Sequence, residues 1–423
     1  MNFKKKDDLR NKLKGRHILI WGSRMTGIGF SRFVSNNGFK AIGFIDSDFA
    51  LTGKKVHNLP IYQPNSIACL KKKYKRLVVV VAVSIKEDEI VDTLKGMGMT
   101  AGDYVRYSDY CGHFYTIDVS GTCNLKCPSC AHTMSSIKNK KGFMTLDDFK
   151  RIIDKVLKEN ELVTHISLYS WGEPFLHPEL NRIIKHAHSM GIATAVSTNL
   201  SIASSRQIEK IVKSSPDYLK VSLSGYYPAV YNTTHSGGDI NLVKSNLYKL
   251  RYFIDKFASS IFVEVNYHLY KNNTGIDLAK MQELCHELEY TISSCYANIT
   301  PIERLIDYCE GNLDDNTKNF LELLLVSIDK GLEITKPYRN LPCRFLTNQI
   351  NINWDRSVPL CCVCYDSRSS TISNNYLIDS LEEILLNKKN HIQCQKCLEY
   401  GFPPYLLGVN QKEWNTEANL NLN

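Results

Sequence analysis

The chain has 423 residues, which is enough for two or three domains that each have their own core. With 43% hydrophobic and 22% charged residues, its composition is that of a globular protein and excludes an intrinsically disordered one. The 52 basic and 43 acidic side chains give a formal net charge of +9, but no nucleic-acid-binding motif accompanies the lysine runs. We therefore expect no nucleic-acid partner.

No apolar stretch of the sequence is long enough to span a membrane, and the first residues lead into charge rather than into an apolar signal segment. Fourteen cysteines would suit a secreted protein rich in disulfides, but here they cluster at short spacings without an export signal. We therefore expect a cytoplasmic protein whose cysteines bind metal.

Residues 1–108 have the order of a nucleotide-binding βαβ unit: a strand at 17–21, a glycine-containing turn, a helix, and a second strand that ends in Asp46. Arg24 stands where the second glycine of G-x-G-x-x-G would let a pyrophosphate approach the backbone, which argues against dinucleotide binding. The unit resembles the small Rossmann-like domain of sugar acyltransferases and other enzymes of cell-surface polysaccharide synthesis, which in some of them holds a nucleotide sugar. The alternative is a module that only packs or dimerises.

Three cysteines follow a strand-like run that ends at Val119, in the pattern C-x3-C-x2-C: Cys123, Cys127 and Cys130. Thiolates are soft ligands that favour iron–sulfur clusters, zinc or copper(I). A closed zinc site or electron-transfer cluster needs four protein ligands, and no fourth cysteine lies within reach downstream. The pattern therefore predicts a metal centre with one open position, where a substrate or cosubstrate can bind.

This motif, with Gly142-Phe143-Met144 and a helix after it, resembles the signature of the radical S-adenosylmethionine (radical SAM) enzymes. In that family the three cysteines hold a [4Fe-4S] cluster whose open iron is chelated by the methionine part of S-adenosylmethionine. Reductive cleavage then gives methionine and a 5′-deoxyadenosyl radical that takes a hydrogen atom from the substrate. The residue before the third cysteine is usually aromatic in the family, and it is Ser129 here.

Residues 109–335 alternate predicted strands and helices through six repeats, which predicts a partial (β/α)6 TIM-like barrel with its chemistry at the C-terminal ends of the strands. Trp171-Gly172-Glu173-Pro174 resembles the family's Gly-Gly-Glu-Pro, so Gly172 and Glu173 are predicted to contact the ammonium group of S-adenosylmethionine. Residues after the next two strands match family contacts to the ribose or carboxylate: Ser197, Asn199, Ser222 and Ser224. Alternatively, these are ordinary turn and cap residues.

Residues 336–423 contain a second group of cysteines, of which four would close a metal site: Cys343, Cys361, Cys394 and Cys397. Cys362 is an alternative to Cys361. On spacing alone, a structural zinc ribbon is a rival interpretation. After a radical SAM barrel, however, the region resembles the SPASM and twitch extensions, which implies one auxiliary [4Fe-4S] cluster. The predicted α/β fold thus has a Rossmann-like domain, a partial barrel and a small cysteine-rich domain.

The resemblance implies an oxidoreductase that uses S-adenosylmethionine and an electron donor such as flavodoxin or ferredoxin. We expect it to oxidise, dehydrate or epimerise a carbohydrate or nucleotide sugar, since the N-terminal unit resembles domains of polysaccharide synthesis. A second interpretation is a SPASM peptide maturase, although residues 17–106 do not resemble the winged-helix module that such enzymes usually carry. A third, non-enzymatic interpretation is a structural or redox-sensing metal protein.

Overall fold

The computed structural model describes residues 4–84, 86–133 and 140–422, and the counts of elements given below refer to these residues. The strands of the N-terminal unit are β1 (His17–Trp21), β2 (Lys40–Ile45), β3 (Lys55–Val56), β4 (Leu59–Tyr62), β5 (Leu77–Val81) and β6 (Tyr104–Arg106). Its helices are α1 (Lys4–Leu13), α2 (Met25–Asn36), α3 (Ile67–Lys73) and α4 (Glu87–Gly96).

The sheet of this unit has the order β3-β4-β2-β1-β5-β6, and its pairs are parallel except for β3 with β4. Every residue of β5 is apolar and buried, as expected for a parallel strand that helices cover on both faces. Apart from β3, the order is that of the Rossmann-like fold, in which the chain first builds one half of the sheet and then crosses to the other.

The central unit contains six parallel strands that alternate with helices. The strands are β7 (Phe114–Ile117), β8 (His165–Ser167), β9 (Ala193–Thr198), β10 (Tyr218–Leu223), β11 (Phe262–Leu269) and β12 (Thr291–Tyr296). The helices are α5 (Leu146–Glu159), α6 (Leu180–Ser189), α7 (Ser205–Ser214), α8 (Pro228–Thr234), α9 (Ile240–Lys256), α10 (Ile276–Glu287), α11 (Ile302–Cys309), α12 (Asp315–Leu321) and α13 (Ile328–Thr335). The largest hydrophobic core lies between these strands and helices, in a partial barrel.

The C-terminal region adds short elements beside the barrel. They are α14 (Arg344–Asn348), β13 (Gln349–Ile352), β14 (Val358–Pro359), α15 (Ser367–Ser370), β15 (Thr371–Ser373), α16 (Leu381–Lys389), α17 (Ile392–Tyr400), α18 (Phe402–Leu406) and α19 (Gln411–Leu420). In the described part of the chain, no helix is both long and apolar enough to cross a membrane.

One strand of the C-terminal region belongs to the central sheet. The order of that sheet is β12-β11-β10-β9-β8-β7-β13, and β13 pairs in parallel with β7, so that Ile352 lies opposite Ile117. The hydrogen bond from the Asp118 amide to the Ile352 carbonyl, 2.8 Å long, continues this pairing past the strand. The sheet therefore extends into residues 336–423, beyond the six repeats expected from the sequence.

The N-terminal unit packs against the ends of the barrel strands where those strands begin. Its core includes Phe30 of α2 together with Tyr218 and Phe262, the first residues of β10 and β11. Close packing fixes the contact, because a Cβ on Gly29 would lie 2.7 Å from the Cβ of His165. The unit thus covers the opposite end of the barrel from the loops that carry the cysteines.

Arg24 joins the N-terminal unit to the interior of the barrel. Its Nε donates to Glu264 of β11 at 3.0 Å, and its Nη2 donates to Asp48 at 2.9 Å. These anions raise the pKa of Arg24 against the opposing effect of burial. Asp46 accepts from both the amide and the hydroxyl of Ser23. The guanidinium group therefore lies within ion-pair distance of three carboxylates, those of Asp46, Asp48 and Glu264.

We predict that Arg24→Met lowers the apparent melting temperature, because the nearly buried Glu264 would lose its cation. Breaking a fully buried pair from one side costs about 3–5 kcal/mol, and the partial exposure of Arg24 makes the expected loss smaller. The measurement is thermal denaturation of the variant beside Arg206→Met, a change at an exposed arginine. Equal melting temperatures for both variants would show that the Glu264 contact does not hold the two units together.

Candidate active site and cysteine centres

The C-x3-C-x2-C loop begins just after β7 and borders a cavity of about 250 Å³ at the C-terminal ends of the barrel strands. The cavity is lined by Cys123, Cys127 and Cys130, as the sequence predicts. It is also lined by residues of the loops after β8, β9 and β10. The structure thus gathers the three thiols at one place together with most of the predicted polar residues.

Hydrogen bonds from distant segments hold the backbone of this loop in a fixed shape. Thr300 Oγ1 donates to the Ser129 carbonyl, and Arg304 Nη1 donates to the Pro128 carbonyl, both at 2.7 Å. Closer by, the Leu125 amide donates to Cys123 Sγ at 3.4 Å. A thiolate that accepts such bonds is stabilised, so this geometry suits a metal ligand.

Burial raises the pKa of each of the three thiols, and that of Cys123 rises to about 12. Without a metal, these cysteines are therefore neutral, and binding as thiolates requires a cation to offset the burial. In the described part of the chain, no three His, Cys, Asp or Glu side chains stand close enough to hold a bare metal ion. The donor set, three thiols around one cavity with no fourth, fits a [4Fe-4S] cluster with one open iron.

The buried carboxylate of Asp118 links the cysteine loop to the loop after β8. Its Oδ2 accepts from the Trp171 amide at 2.9 Å and from the Gly172 amide at 3.4 Å. Burial raises the pKa of Asp118 to about 6 against the effect of these donors. A Cβ on Gly172 would lie 1.5 Å from the Ser120 carbonyl oxygen, so only glycine permits this close approach.

Glu173 lines the cavity, but its carboxylate is already bound to three donors. Oε1 accepts from the Phe175 amide at 2.9 Å and from the Thr198 hydroxyl at 2.7 Å, and Oε2 accepts from the Asn199 amide at 2.7 Å. Burial raises the pKa of Glu173 to about 7. The acid therefore fixes the loops after β8 and β9 to each other, besides any contact with a ligand.

The other predicted polar residues divide into two groups. Ser197, Asn199 and Ser222 line the cavity, and Asn199 Nδ2 also donates to Cys123 Sγ at 3.7 Å. Ser224, by contrast, is fully buried behind the cavity wall, where its hydroxyl bonds to Thr234 and His235. The structure thus gives Ser224 a different role from the predicted ligand contact, because its hydroxyl is used inside the protein.

The inner face of the barrel below the cavity is polar. Asn266 and His268 alternate along β11 with Val265 and Tyr267 of the hydrophobic core, so they point to the opposite face of the sheet. His268 lines the cavity and bonds to Asn266 at 3.1 Å. This wall can make hydrogen bonds to a ligand that lies deeper than the cysteine loop.

A lysine adds positive charge to this inner wall. Lys220 of β10 places its Nζ 5.0 Å from the centre of the Tyr169 ring, which lines the cavity. Among the described residues, no carboxylate lies within ion-pair distance of the Lys220 ammonium group. Burial, assisted by this charge, lowers the pKa of His268 to about 4, so the ring is neutral near pH 7. An anionic ligand group would find an available cation here.

The second group of cysteines surrounds a small cavity of about 30 Å³ between α14, α16, α17 and α18. All four predicted ligands line it: Cys343, Cys361, Cys394 and Cys397. Cys361 lines the cavity and Cys362 does not, so geometry favours Cys361 as the ligand. Four thiols are the donor set of an iron–sulfur cluster or of a closed zinc site, although among the described residues these side chains do not stand close enough to hold a bare ion.

Sequence reasoning missed two residues at this second centre. Cys364 is buried and lines the cavity, and its C-x2-C spacing from Cys361 could have indicated it. Lys388 also lines the cavity, and nothing in the sequence around it distinguishes it from the exposed Lys389. The Cys364 carbonyl also accepts from Trp171 Nε1 at 3.0 Å, which ties the second centre to the first.

Comparisons with known proteins agree with this geometry. Residues 117–285 match the model of the Radical SAM superfamily. The chain is 26% identical over 58% of its length to the tungsten-containing aldehyde ferredoxin oxidoreductase cofactor-modifying protein of Pyrococcus furiosus, of which the match covers 69%. It is 22% identical to the PqqA peptide cyclase of Bradyrhizobium diazoefficiens, over 26% of this chain and 28% of that one.

A solved structure similar to this one is the crystal structure of Streptococcus suis SuiB bound to S-adenosylmethionine. It has 14% sequence identity and a TM-score of 0.45, and the match covers 71% of this chain and 69% of that chain. The family match contains the C-x3-C-x2-C loop and the loops that share its cavity. Residues 117–285 therefore form a domain of the radical SAM superfamily, whose enzymes use a [4Fe-4S] cluster and S-adenosylmethionine.

Proposed function

We propose that the enzyme modifies a small polar substrate with an anionic group, such as a sugar acid or a nucleotide sugar, bound against the inner wall of the barrel. When bound, the cluster and S-adenosylmethionine supply a 5′-deoxyadenosyl radical that takes a hydrogen atom from this substrate. The observation that carries the proposal is that His268 lines the cavity of the three cysteines, and that the Lys220 ammonium group lies 5.0 Å from the ring of Tyr169, which lines the same cavity.

The residues around the cavity have distinct roles in this proposal. Cys123, Cys127 and Cys130 hold the cluster, while the loop of Gly172 and Glu173 contacts the ammonium group of S-adenosylmethionine. Residues of the next two loops contact its ribose or carboxylate: Ser197, Asn199 and Ser222. Because the Glu173 carboxylate accepts a hydrogen bond from the Asn199 amide, the loops after β8 and β9 are ordered before a ligand arrives.

The proposed substrate class is inferred from the residues of the barrel wall, whereas the sequence alone suggested it from the N-terminal unit. That unit packs at the far end of the barrel, and its Arg24 is bound by Glu264 of the barrel and by Asp48. In this proposal the unit supports the barrel instead of delivering a nucleotide sugar. We propose a reducing cytoplasm as the setting, with flavodoxin or ferredoxin as the electron donor. A reducing compartment keeps this many unpaired cysteines available for metal.

A second candidate is a peptide maturase, because relatives of this chain include proteins named PqqA peptide cyclase. Incubating the anaerobically reduced enzyme with nucleotide sugars, sugar acids and peptides, and measuring 5′-deoxyadenosine, separates the candidates. Stimulation by anionic sugars that is lost in Lys220→Met supports the proposal. Stimulation by peptides alone would replace it with the second candidate.

For the C-terminal region, we propose a SPASM- or twitch-type domain with one auxiliary [4Fe-4S] cluster on Cys343, Cys361, Cys394 and Cys397. Four thiols converge there on a single space, which is enough to close a site. A domain in this place would cover the open side of the partial barrel and help to exclude water from the radical.

We predict that Cys127→Ala abolishes reductive cleavage of S-adenosylmethionine, because two thiolates cannot hold the cluster and its cosubstrate. The measurement is 5′-deoxyadenosine released after reduction by dithionite. Cys69→Ala, at an exposed cysteine of the N-terminal unit, serves as the control and should keep wild-type activity. Cleavage at the wild-type rate by Cys127→Ala would contradict the assignment of the cluster to this loop.

We predict that Glu173→Gln weakens S-adenosylmethionine binding by about 1–3 kcal/mol, the range for hydrogen bonds to charged groups. The change removes the carboxylate that would face the ammonium group, while the iron content should stay near that of the wild type. Equilibrium binding to the reconstituted enzyme tests this, with Glu179→Gln as the control at a more exposed acid. An unchanged dissociation constant would limit Glu173 to holding the two loops together.

We predict that a Cys394→Ala/Cys397→Ala variant still cleaves S-adenosylmethionine but loses product formation. The wild type should contain about eight irons per chain and the variant about four. Iron, zinc and sulfide analysis provides the measurement. If the wild type instead holds about four irons and stoichiometric zinc, the C-terminal centre is a zinc site and the auxiliary cluster is excluded.

A further inference from the structure

Lys388 is a buried lysine at the centre formed by the C-terminal cysteines. Only 2% of its surface is exposed, and it lines the same cavity as Cys343, Cys361, Cys394 and Cys397. Its Nζ donates to two backbone carbonyls, those of Phe345 and Gln349. The lysine therefore reaches across from α16 to the chain segment that follows Cys343.

Removing an ammonium group from water costs several kcal/mol unless an anion compensates it. Within the described residues, no carboxylate lies within ion-pair distance of Lys388. Burial lowers the pKa of Lys388, and the ionisable groups that oppose this effect are thiols, namely those of Cys361, Cys362, Cys394 and Cys343. Its other titratable neighbour, the imidazole of His113, feels the Lys388 charge as a repulsion and so offers no compensation. The anions that would justify burying this cation are thus thiolates.

We propose that Lys388 is the counter-cation of the C-terminal cysteine centre, a positioning residue that stabilises the bound thiolates by its charge. The part of this inference that concerns redox chemistry rests on the auxiliary cluster proposed above. A fixed positive charge beside a cluster favours the reduced form, which carries one more negative charge. Lys388 therefore raises the midpoint potential of that cluster, as charge and hydrogen bonding near the sulfurs do in general.

The test compares full-length Lys388→Gln, Lys388→Met and Lys388→Arg with Lys389→Gln, the matched change at the exposed neighbour. Gln keeps N–H donors without the charge, and Arg keeps the charge. The readouts are the metal and sulfide content of each protein and the midpoint potential of the auxiliary cluster from an EPR-monitored redox titration. We expect a lower potential in the Gln and Met variants, and near-wild-type values in the Arg and Lys389 variants.

The outcomes distinguish a role of charge from a role of structure. If the Gln variant keeps the wild-type potential while the Met variant does not, Lys388 acts only through its hydrogen bonds to the carbonyls, and the proposal is overturned. An unchanged potential in all variants overturns it as well. If the centre holds zinc, the proposal of an auxiliary cluster is wrong, but the role of Lys388 as counter-cation can still be tested. Faster loss of zinc to a chelator from the Gln variant than from the Arg variant supports that role. Equal rates of loss overturn it.

Discussion

The buried carboxylate of Asp118 is the interaction on which the active site depends. It stands between β7 and the cysteine loop and accepts the amides of Trp171 and Gly172, so one side chain sets the position of two loops that must act together. Gly172 completes the contact, because any side chain there would collide with Ser120. The shape of the site thus depends on an internal hydrogen bond and on the absence of one Cβ atom, rather than on a ligand.

Each of the two cysteine centres has a buried basic side chain near its thiols. Arg304 is 5% exposed and donates to the loop backbone beside Cys130, and its Nε has no hydrogen-bond partner among the residues that the structure describes. Lys388 lies in the corresponding place at the C-terminal centre. Since a buried cation needs nearby negative charge, each of these residues prepares its surroundings for thiolates. Burial alone would leave the cysteines as neutral thiols, so the cations and the metal together offset its cost.

The sequence predicts those parts of the molecule that local patterns encode. The cysteine spacings, the alternation of strands and helices and the Gly172-Glu173 pair are local patterns. The structure forms a partial barrel from the alternation and places Cys123, Cys127, Cys130 and the Gly172-Glu173 pair around one cavity. Features that depend on tertiary contacts could not be predicted. The pairing of β13 with β7 needs a hydrogen-bonding edge that the six repeats leave free, and the positions of Lys220, Lys388 and Arg304 are set by distant segments. Ser224 shows that a local pattern can also mislead. Its position in the sequence matches a family contact, but its hydroxyl makes hydrogen bonds to Thr234 and His235 inside the protein.

The pairing of β13 with β7 also determines how the two centres can move. The chain that leaves β7 forms the first cysteine loop, and the chain that leaves β13 leads to Cys361, so both start from neighbouring strands of one ladder. Domains joined only by side-chain contacts can rock against each other, whereas hydrogen-bonded strands keep their spacing. The two groups of thiols should therefore behave as one rigid body. An electron that passed between them would cross a gap whose width is set by backbone geometry and varies little with thermal motion.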